Sequence, residues 1–388
     1  MSADRKLFTL VSILIGISVI LTYSLSAYTT LLFGVSEFHF AIRQMLFGFL
    51  SIIIIWLLSQ ADPNKLLAPI GFTLFFGSII LMIAMPFLPE SVVSAVGGAK
   101  RWIKLFGFSL APVEFFKIGF VFFLAWSFPR KFSNDEGIGV LKEYIRFAPY
   151  GIFFICIMFI IAIVQNDLGQ VVILGLIFVL MLGFAGSSFR FLLTFLAVAV
   201  MFFIFFIFTA EHRIIRIKSW WALAQNNILE LFPEPVANLL RVPVEVEPYQ
   251  IGHSLNAIHN GGFFGTGVAN GTFKLGFLSE VHTDFVLSGL AEEFGFVGIT
   301  FVVFIFLWML QRIFKIANRA EDSTIYFFSL GVGLLLAFTF LLNAYGISGI
   351  TPIKGISVPF LSYGGSSMIA ASIGIGMVLM ASKKVKMD

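Results

Sequence analysis

The sequence predicts an all-α integral membrane protein, a ten-span helical bundle with a large extracytoplasmic loop between spans seven and eight. Three observations predict it. The chain is 59% hydrophobic and 12% charged, with a mean hydropathy of +0.99, whereas a soluble domain carries roughly 25% charged residues. Its apolar residues form long runs that suit helices of ~20 residues, rather than the alternating segments of about ten that build an outer-membrane barrel. Lysine and arginine gather in alternate connections, as the positive-inside bias requires. The net charge of +4 lies mainly between spans and points away from a nucleic-acid partner.

The spans are read near 7–28, 39–59, 67–87, 112–128, 145–165, 170–187, 190–210, 285–311, 323–344 and 363–382. Each satisfies its own backbone hydrogen bonds, as hydrocarbon demands. The first run is too long for a signal-peptide core and reads as a retained span. Span four opens at Pro112, well suited to a first helical position, and carries Glu114 and Lys117 three apart, able to pair on one face. Span five holds the single cysteine, Cys156, so no internal disulfide or cysteine metal cluster can form. It ends at Gln165-Asn166-Asp167-Leu168-Gly169-Gln170. Span eight begins at Asp284, with Ser288 and Glu292 at i+4 and i+8 on the same face and Glu292 ~12 Å deeper. A polar face in a span turns toward protein or water, so this helix is expected to line a cavity. The whole chain reads as one polytopic domain, 1–388, without an internal repeat to support an inverted-repeat transporter.

Arg5, Lys6, Lys65, Arg130, Lys131, Lys142, Arg146, Arg190, Arg312, Lys315, Arg319, Lys383, Lys384 and Lys386 fall on one side. Lys100, Arg101, Lys104 and Lys354 occupy the short loops on the other. Both termini are therefore placed in the cytoplasm. Polar chemistry collects outside, in 88–111, 165–169, 211–284 and 345–362.

Several outer residues have both a functional and a structural reading. The loop 211–284 is long for a connector, and such loops are often functional. It opens on Arg213, Arg216 and Lys218 beside Trp220 and Trp221, which suits a helix in the headgroup layer, contacting phosphate or only anchoring the membrane. His259-Asn260-Gly261-Gly262-Phe263-Phe264-Gly265-Thr266-Gly267 permits close backbone approach to a sugar or diphosphate, or simply turns the chain. Asp284, in Glu280-Val281-His282-Thr283-Asp284, is either a reactive carboxylate or a helix cap. Glu114, Lys117 and Asp167 are a site or a structural ion network, and Lys354 is a ligand cation or an interfacial snorkel.

At Pro359-Phe360-Leu361-Ser362-Tyr363-Gly364-Gly365-Ser366-Ser367 the chain resembles the SEDS family (shape, elongation, division and sporulation), which includes FtsW, RodA and SpoVE. Gly98-Ala99-Lys100-Arg101-Trp102-Ile103, His282-Thr283-Asp284-Phe285 and Ala291-Glu292-Glu293-Phe294-Gly295 carry the same resemblance, in order, over about residues 8–382. Three places depart from the family pattern. Ala111-Pro112-Val113-Glu114 stands for the usual Gln-Pro-Ser-Glu, Asn166 for a common proline, and Ser279-Glu280 for the frequent Pro-Glu.

The resemblance implies a peptidoglycan glycosyltransferase that polymerises lipid II on the outer face of the bacterial cytoplasmic membrane, extending a growing glycan strand among membrane lipids. It implies a class B penicillin-binding protein as transpeptidase partner. The Pro352-Ile353-Lys354-Gly355 form is more similar to the FtsW/SpoVE branch than to RodA, implying septal synthesis with other division proteins rather than lateral-wall synthesis. On this reading Asp284 is the general base, with His282 and Thr283 as its supporting shell. Arg101, Lys117, Arg213, Arg216 and Lys354, or a divalent cation such as Mg or Mn, meet the diphosphate. Glu114, Asp167, Gly261, Gly262, Glu292, Ser362 and Tyr363 complete the substrate-binding candidates, and some of the 50 phenylalanines line grooves for the lipid tails. The competing expectations are a lipid II flippase, which needs a polar path to both leaflets, and a scaffold that only activates its partner.

Overall fold

The computed structural model describes residues 3–96, 99–105, 108–132, 140–208, 211–242, 249–352 and 355–386. The helices are α1 (Arg5–Leu25), α2 (Ala27–Phe33), α3 (His39–Gln60), α4 (Pro63–Ala84), α5 (Pro112–Phe132), α6 (Val140–Phe159) and α7 (Leu168–Phe184). They continue with α8 (Phe189–Phe208), α9 (Glu211–Leu229), α10 (Glu234–Leu240), α11 (Tyr249–Gly261), α12 (Val286–Asn318), α13 (Ser323–Ile347) and α14 (Gly365–Ser382). Among the described residues nine helices are long and apolar enough to cross a membrane, and the apolar α7 is shorter. Each apolar run read from the sequence is helical over most of its length.

The connections hold more structure than the sequence suggested. Between α4 and α5 lies a three-stranded antiparallel sheet of β1 (Val93–Val96), β2 (Ala99–Leu105) and β3 (Phe108–Leu110). The segment 211–284 is largely folded, as α9, α10 and α11.

The two ends of the bundle are fixed by different polar contacts. Asp4 caps α1 and accepts Arg312 Nη2 of α12 at 2.6 Å, while its own N–H donates to Ser382 Oγ at 3.2 Å. Both chain ends therefore meet the α12–α13 turn at one end. The sheet, the α6–α7 turn, α9–α11 and the segment entering α12 gather at the other.

Close backbone approach and aromatic stacking build the interior. A Cβ on Gly119 of α5 would strike the backbone of Phe75 in α4, the small-residue contact by which membrane helices pack without a hydrophobic drive between them. Phe75 stacks on Phe123 at 4.5 Å and Phe154 on Phe178 at 4.6 Å, part of a phenylalanine network across α4 to α8. These rings pack against protein rather than lining a groove for lipid tails.

α12 is broken at Gly295, where φ is 64° and ψ −163°. A broken helix in a bundle must have its freed groups satisfied, and the glycine turn after α11 does this. Phe296 N donates to Gly262 O at 3.0 Å, Thr266 N to Glu292 O at 2.9 Å, and Gly267 N to Glu293 O at 3.0 Å.

Candidate active site

The segment 280–284 forms a tight turn immediately before α12. Glu280 has a positive φ of 55°, and its carbonyl accepts the N–H groups of Thr283 and Asp284 at 3.1 Å each. The cap position of α12 is Phe285, and no side chain caps that helix. The helix-cap reading of Asp284 therefore fails, and its carboxylate is left for other work.

Three groups clamp the turn from behind through its backbone. Asn343 Nδ2 donates to Asp284 O at 2.6 Å and to Ile356 O at 2.7 Å. The Ser362 hydroxyl donates to Thr283 O at 2.6 Å and accepts Val358 N at 2.7 Å. Tyr363 N donates to His282 O at 2.8 Å. Gly355 lies against the carboxylate itself, since a Cβ there would sit 2.7 Å from Asp284 Oδ2.

Charge converges on Asp284 from four elements. Burial, then Glu280 and Asp167, push its carboxyl up to about 6, while Arg101 of β2 and Arg216 of α9 pull it down. A carboxylate with that proton affinity suits general-base chemistry near neutral pH. Burial also holds the His282 imidazole below its ordinary range, against the opposing pull of Glu280. Its ring packs on Phe40 at 5.1 Å and Tyr363 at 5.4 Å, so His282 is a neutral wall of the site.

A chain of polar contacts runs inward from Arg101. Its guanidinium donates to Gln165 O at 2.7 Å and to Asn166 O, and lies 3.8 Å from Asp167 Oδ2. Asp167 caps α7 by accepting Gln170 N at 3.3 Å. Its carboxyl is raised, by burial first, against Arg101 and that N–H. Gln170 Nε2 donates to Glu114 Oε1 at 3.2 Å, and Glu114 pairs with Lys117 at 2.8 Å. The i,i+3 pair expected on span four is thus formed, and its far side faces a small cleft with Thr339, Ser357 and Ser367.

The candidates sort accordingly. Arg101, Asp167 and Arg216 act on Asp284 through their charge; Glu114 and Lys117 extend the Arg101–Asp167 network; His282, Thr283 and Tyr363 form the turn and its wall. Ser362 is a brace for the turn, its hydroxyl fully occupied by backbone. Lys354 and Gly98 lie outside the described residues.

Several candidates are held by structural partners. Arg213 donates to Phe206 O at 2.8 Å, Ala162 O at 3.1 Å and Asn166 Oδ1 at 2.7 Å. Ala162 lies in the π-helical segment Ile160–Val164 that follows α6, where carbonyls lose their helical donors and a guanidinium replaces them. Gly261 and Gly262 serve the α12 break: a Cβ on Gly261 would meet the carbonyl of Ala291, while Gly262, with φ at 51°, faces open space. Glu292, 1% exposed, accepts Thr272 N at 2.6 Å, Asn260 Nδ2 at 3.0 Å and Phe273 N at 3.1 Å. With Ser288 bonded to Ser254 of α11 at 2.7 Å, the polar face of α12 is covered by protein instead of lining a cavity.

The tryptophans of α9 also bond to protein. Trp220 Nε1 donates to Gly349 O at 2.7 Å and Trp221 Nε1 to Leu240 O at 2.8 Å, which fixes α9 and so places Arg216. Asn166 has a φ of 50°, which proline, the common family residue there, cannot adopt. Asn166→Pro is expected to destabilise the protein by about 2–3 kcal/mol, from backbone strain and the lost Arg213 bond; thermal melting in detergent measures it.

Glu280, Gly355, Asn343 and the buried pair Lys274–Glu293 were not singled out from sequence. Glu280 had a signal, a second carboxylate one turn before Asp284; the others had none within their own segments. Among the described residues no group of three or more His, Cys, Asp and Glu side chains could hold a metal ion. The acids near Asp284 are engaged, Asp167 with Arg101 and Gln170, and Glu280 with Thr283.

Comparison with known proteins agrees with this architecture. A family model for FtsW, RodA and SpoVE, described as cell cycle protein, matches residues 4–387. The chain is 48% identical over 387 residues to a probable peptidoglycan glycosyltransferase FtsW of Helicobacter pylori (strain ATCC 700392 / 26695), covering 100% of both. It is 32% identical to the protein of that description from Haemophilus influenzae, covering 97% of this chain and 89% of the other. A chain solved in work on the coordination of polymerization and crosslinking by a peptidoglycan synthase complex superposes with a TM-score of 0.73 at 21% identity, covering 100% of both. The crystal structure of the Thermus thermophilus rod shape determining protein RodA gives 0.66 at 20% identity, covering 100% of this chain and 99% of the other. The fold is thus that of these multi-span bundles, and the chain belongs to the FtsW/RodA/SpoVE family of cell cycle proteins.

Proposed function

We propose that this protein is a peptidoglycan glycosyltransferase that joins lipid II units into β-1,4-linked glycan strands. The observation that carries the reading is Asp284: a carboxylate raised to about 6, free of any capping role and within the electrostatic reach of Arg101 and Arg216. Lipid II holds its sugar through an α-linked diphosphate. Asp284 takes the proton of the acceptor 4-hydroxyl, whose oxygen attacks the anomeric carbon from the face opposite the diphosphate. The bond to the diphosphate breaks, the new linkage is β, and the departing charge lies toward Arg101 and Arg216. The names of the Helicobacter and Haemophilus relatives support the same activity.

The finer architecture belongs to this proposal. One polytopic domain, 1–388, crosses the membrane ten times, with α7 as the shortest span. Both termini are cytoplasmic, and the 211–284 loop is outside. The lysine and arginine bias supports that orientation. The division machinery at the septum is its setting, supported by the FtsW relatives, with a class B penicillin-binding protein as crosslinking partner.

Purified protein given lipid II, with the partner's transpeptidase blocked, is expected to yield glycan polymer. Translocation of lipid II in liposomes without polymer, with or without the partner, would sink the reading. Gly355→Ala sharpens the test, because its methyl displaces the Asp284 carboxylate. Polymer formation should fall roughly 10- to 100-fold, the usual consequence of a misplacement near 1 Å, with unchanged thermal melting.

A further inference from the structure

Glu280 is not used in the reaction as drawn, yet its geometry is specific. A left-handed backbone is uncommon for a residue with a side chain other than Asn, Asp or His, and Glu280 holds φ at 55°. That conformation aims its carbonyl at Thr283 N, Asp284 N and, at 3.0 Å, the Thr283 hydroxyl. Its exposed carboxylate is retained over the turn, because Oε2 accepts the same hydroxyl at 3.1 Å. The preceding residue is anchored as well, with Gln250 Nε2 of α11 donating to Ser279 Oγ at 3.1 Å. Asp284 is faced by Arg101 of β2, Asp167 of the α6–α7 turn and Arg216 of α9, and on its own turn by Glu280, with the neutral His282 beside it. Glu280 is thus the solvent-edge member of the charges around the reactive carboxylate.

We propose that Glu280 is a positioning residue for glycosyl transfer: its backbone builds the turn that presents Asp284, and its clasped side chain supplies the local negative charge beside it. The inference rests on the reading of Asp284 as the base. A neighbouring negative charge favours the protonated form of Asp284 and makes its ionised form the stronger base.

Three substitutions separate the two parts of the role. Glu280→Gln keeps the side-chain shape and deletes the charge. Glu280→Gly accepts positive φ without steric cost and also deletes the charge. Glu280→Pro fixes φ near −65° and cannot make the turn. Polymer formation from lipid II is measured as kcat/KM across pH 5–8, beside thermal melting of each variant. The wild-type rate should fall on the acid side near pH 6. In Glu280→Gln and Glu280→Gly that limb should move to lower pH by about half a pH unit, a roughly threefold lower proton affinity. Glu280→Pro should lose polymer at every pH. Superimposable acid limbs in wild type, Glu280→Gln and Glu280→Gly overturn the charge role, and normal polymer from Glu280→Pro overturns the turn role. A wild-type chain that makes no polymer at any pH removes the reading of Asp284 itself, and the inference falls with it.

Discussion

Asp284→Asn is expected to lower polymer formation by about 10²–10⁴-fold, the range general-base assistance supplies, in a protein no less stable than the wild type at pH 7. The two halves of this result have one cause. Burial first, then Glu280 and Asp167, raise the Asp284 carboxyl to about 6 from 3.8. A carboxyl raised on folding adds stability that is fully present below its unfolded pKa and is lost as pH rises through about 6. The window is therefore pH 4 to 6, and at pH 7 the ionised group works against the fold by an amount on the order of 3 kcal/mol. Asparagine keeps the shape and carries no charge, so it should recover part of that stability. The clamp on the turn also survives, because Asn343, Ser362 and Tyr363 hold backbone groups and not the carboxylate. Melting curves at pH 5 and 7 with a lipid II assay check both halves. Near-normal polymer removes Asp284 from the base role, and a strongly destabilised variant would make it a structural residue.

The spans were legible because hydrocarbon leaves a chain little choice but helix. Asp62 before Pro63, Asp167 before Gln170 and Asp322 before Thr324 each cap a helix through their own side chains, local chemistry that the span reading did not use: it began the third span at 67 rather than 63. The Glu114–Lys117 pair follows from spacing alone. What failed was whatever depended on a distant backbone. The glycines at 261–267 read as a ligand loop or a turn, and nothing near them announces that α12 breaks at Gly295 and needs their amides and carbonyls. Arg213 read as a phosphate ligand because a sequence shows its charge and hides the carbonyls of Ala162 and Phe206. Gly355 gave no sign that a Cβ would touch Asp284. The three-stranded sheet lay inside a short polar loop, and with it the platform that holds Arg101 beside Asp167.

The second large effect is expected from Lys274→Ala. Lys274 Nζ lies 2.6 Å from Glu293 Oε1, with the two side chains 2% and 0% exposed. Ser24 Oγ of α1 lies 2.6 Å from both carboxylate oxygens and accepts Lys274 Nζ at 3.2 Å and Ala269 N at 3.1 Å. This knot ties the segment leading to the 280–284 turn, the broken region of α12 and the far end of α1 to one another. Truncating Lys274 leaves Glu293 buried without its cation, a loss of about 3–5 kcal/mol by comparison with other broken buried pairs. The pair as a whole need not stabilise the fold, because two desolvated charges are expensive even when matched. Lys274→Met combined with Glu293→Leu removes both charges and fills similar volume, so most of the lost stability should return. Polymer formation should stay low in that double variant if the ionic knot sets the path of the segment carrying Asp284. Melting in detergent and the lipid II assay distinguish these roles. Wild-type melting of Lys274→Ala, or a double variant no more stable than the single, would show that the buried charges are not coupled as their geometry requires. Full polymer from the double variant would reduce the knot to packing, and the turn would then owe its position to the clamp of Asn343, Ser362 and Tyr363.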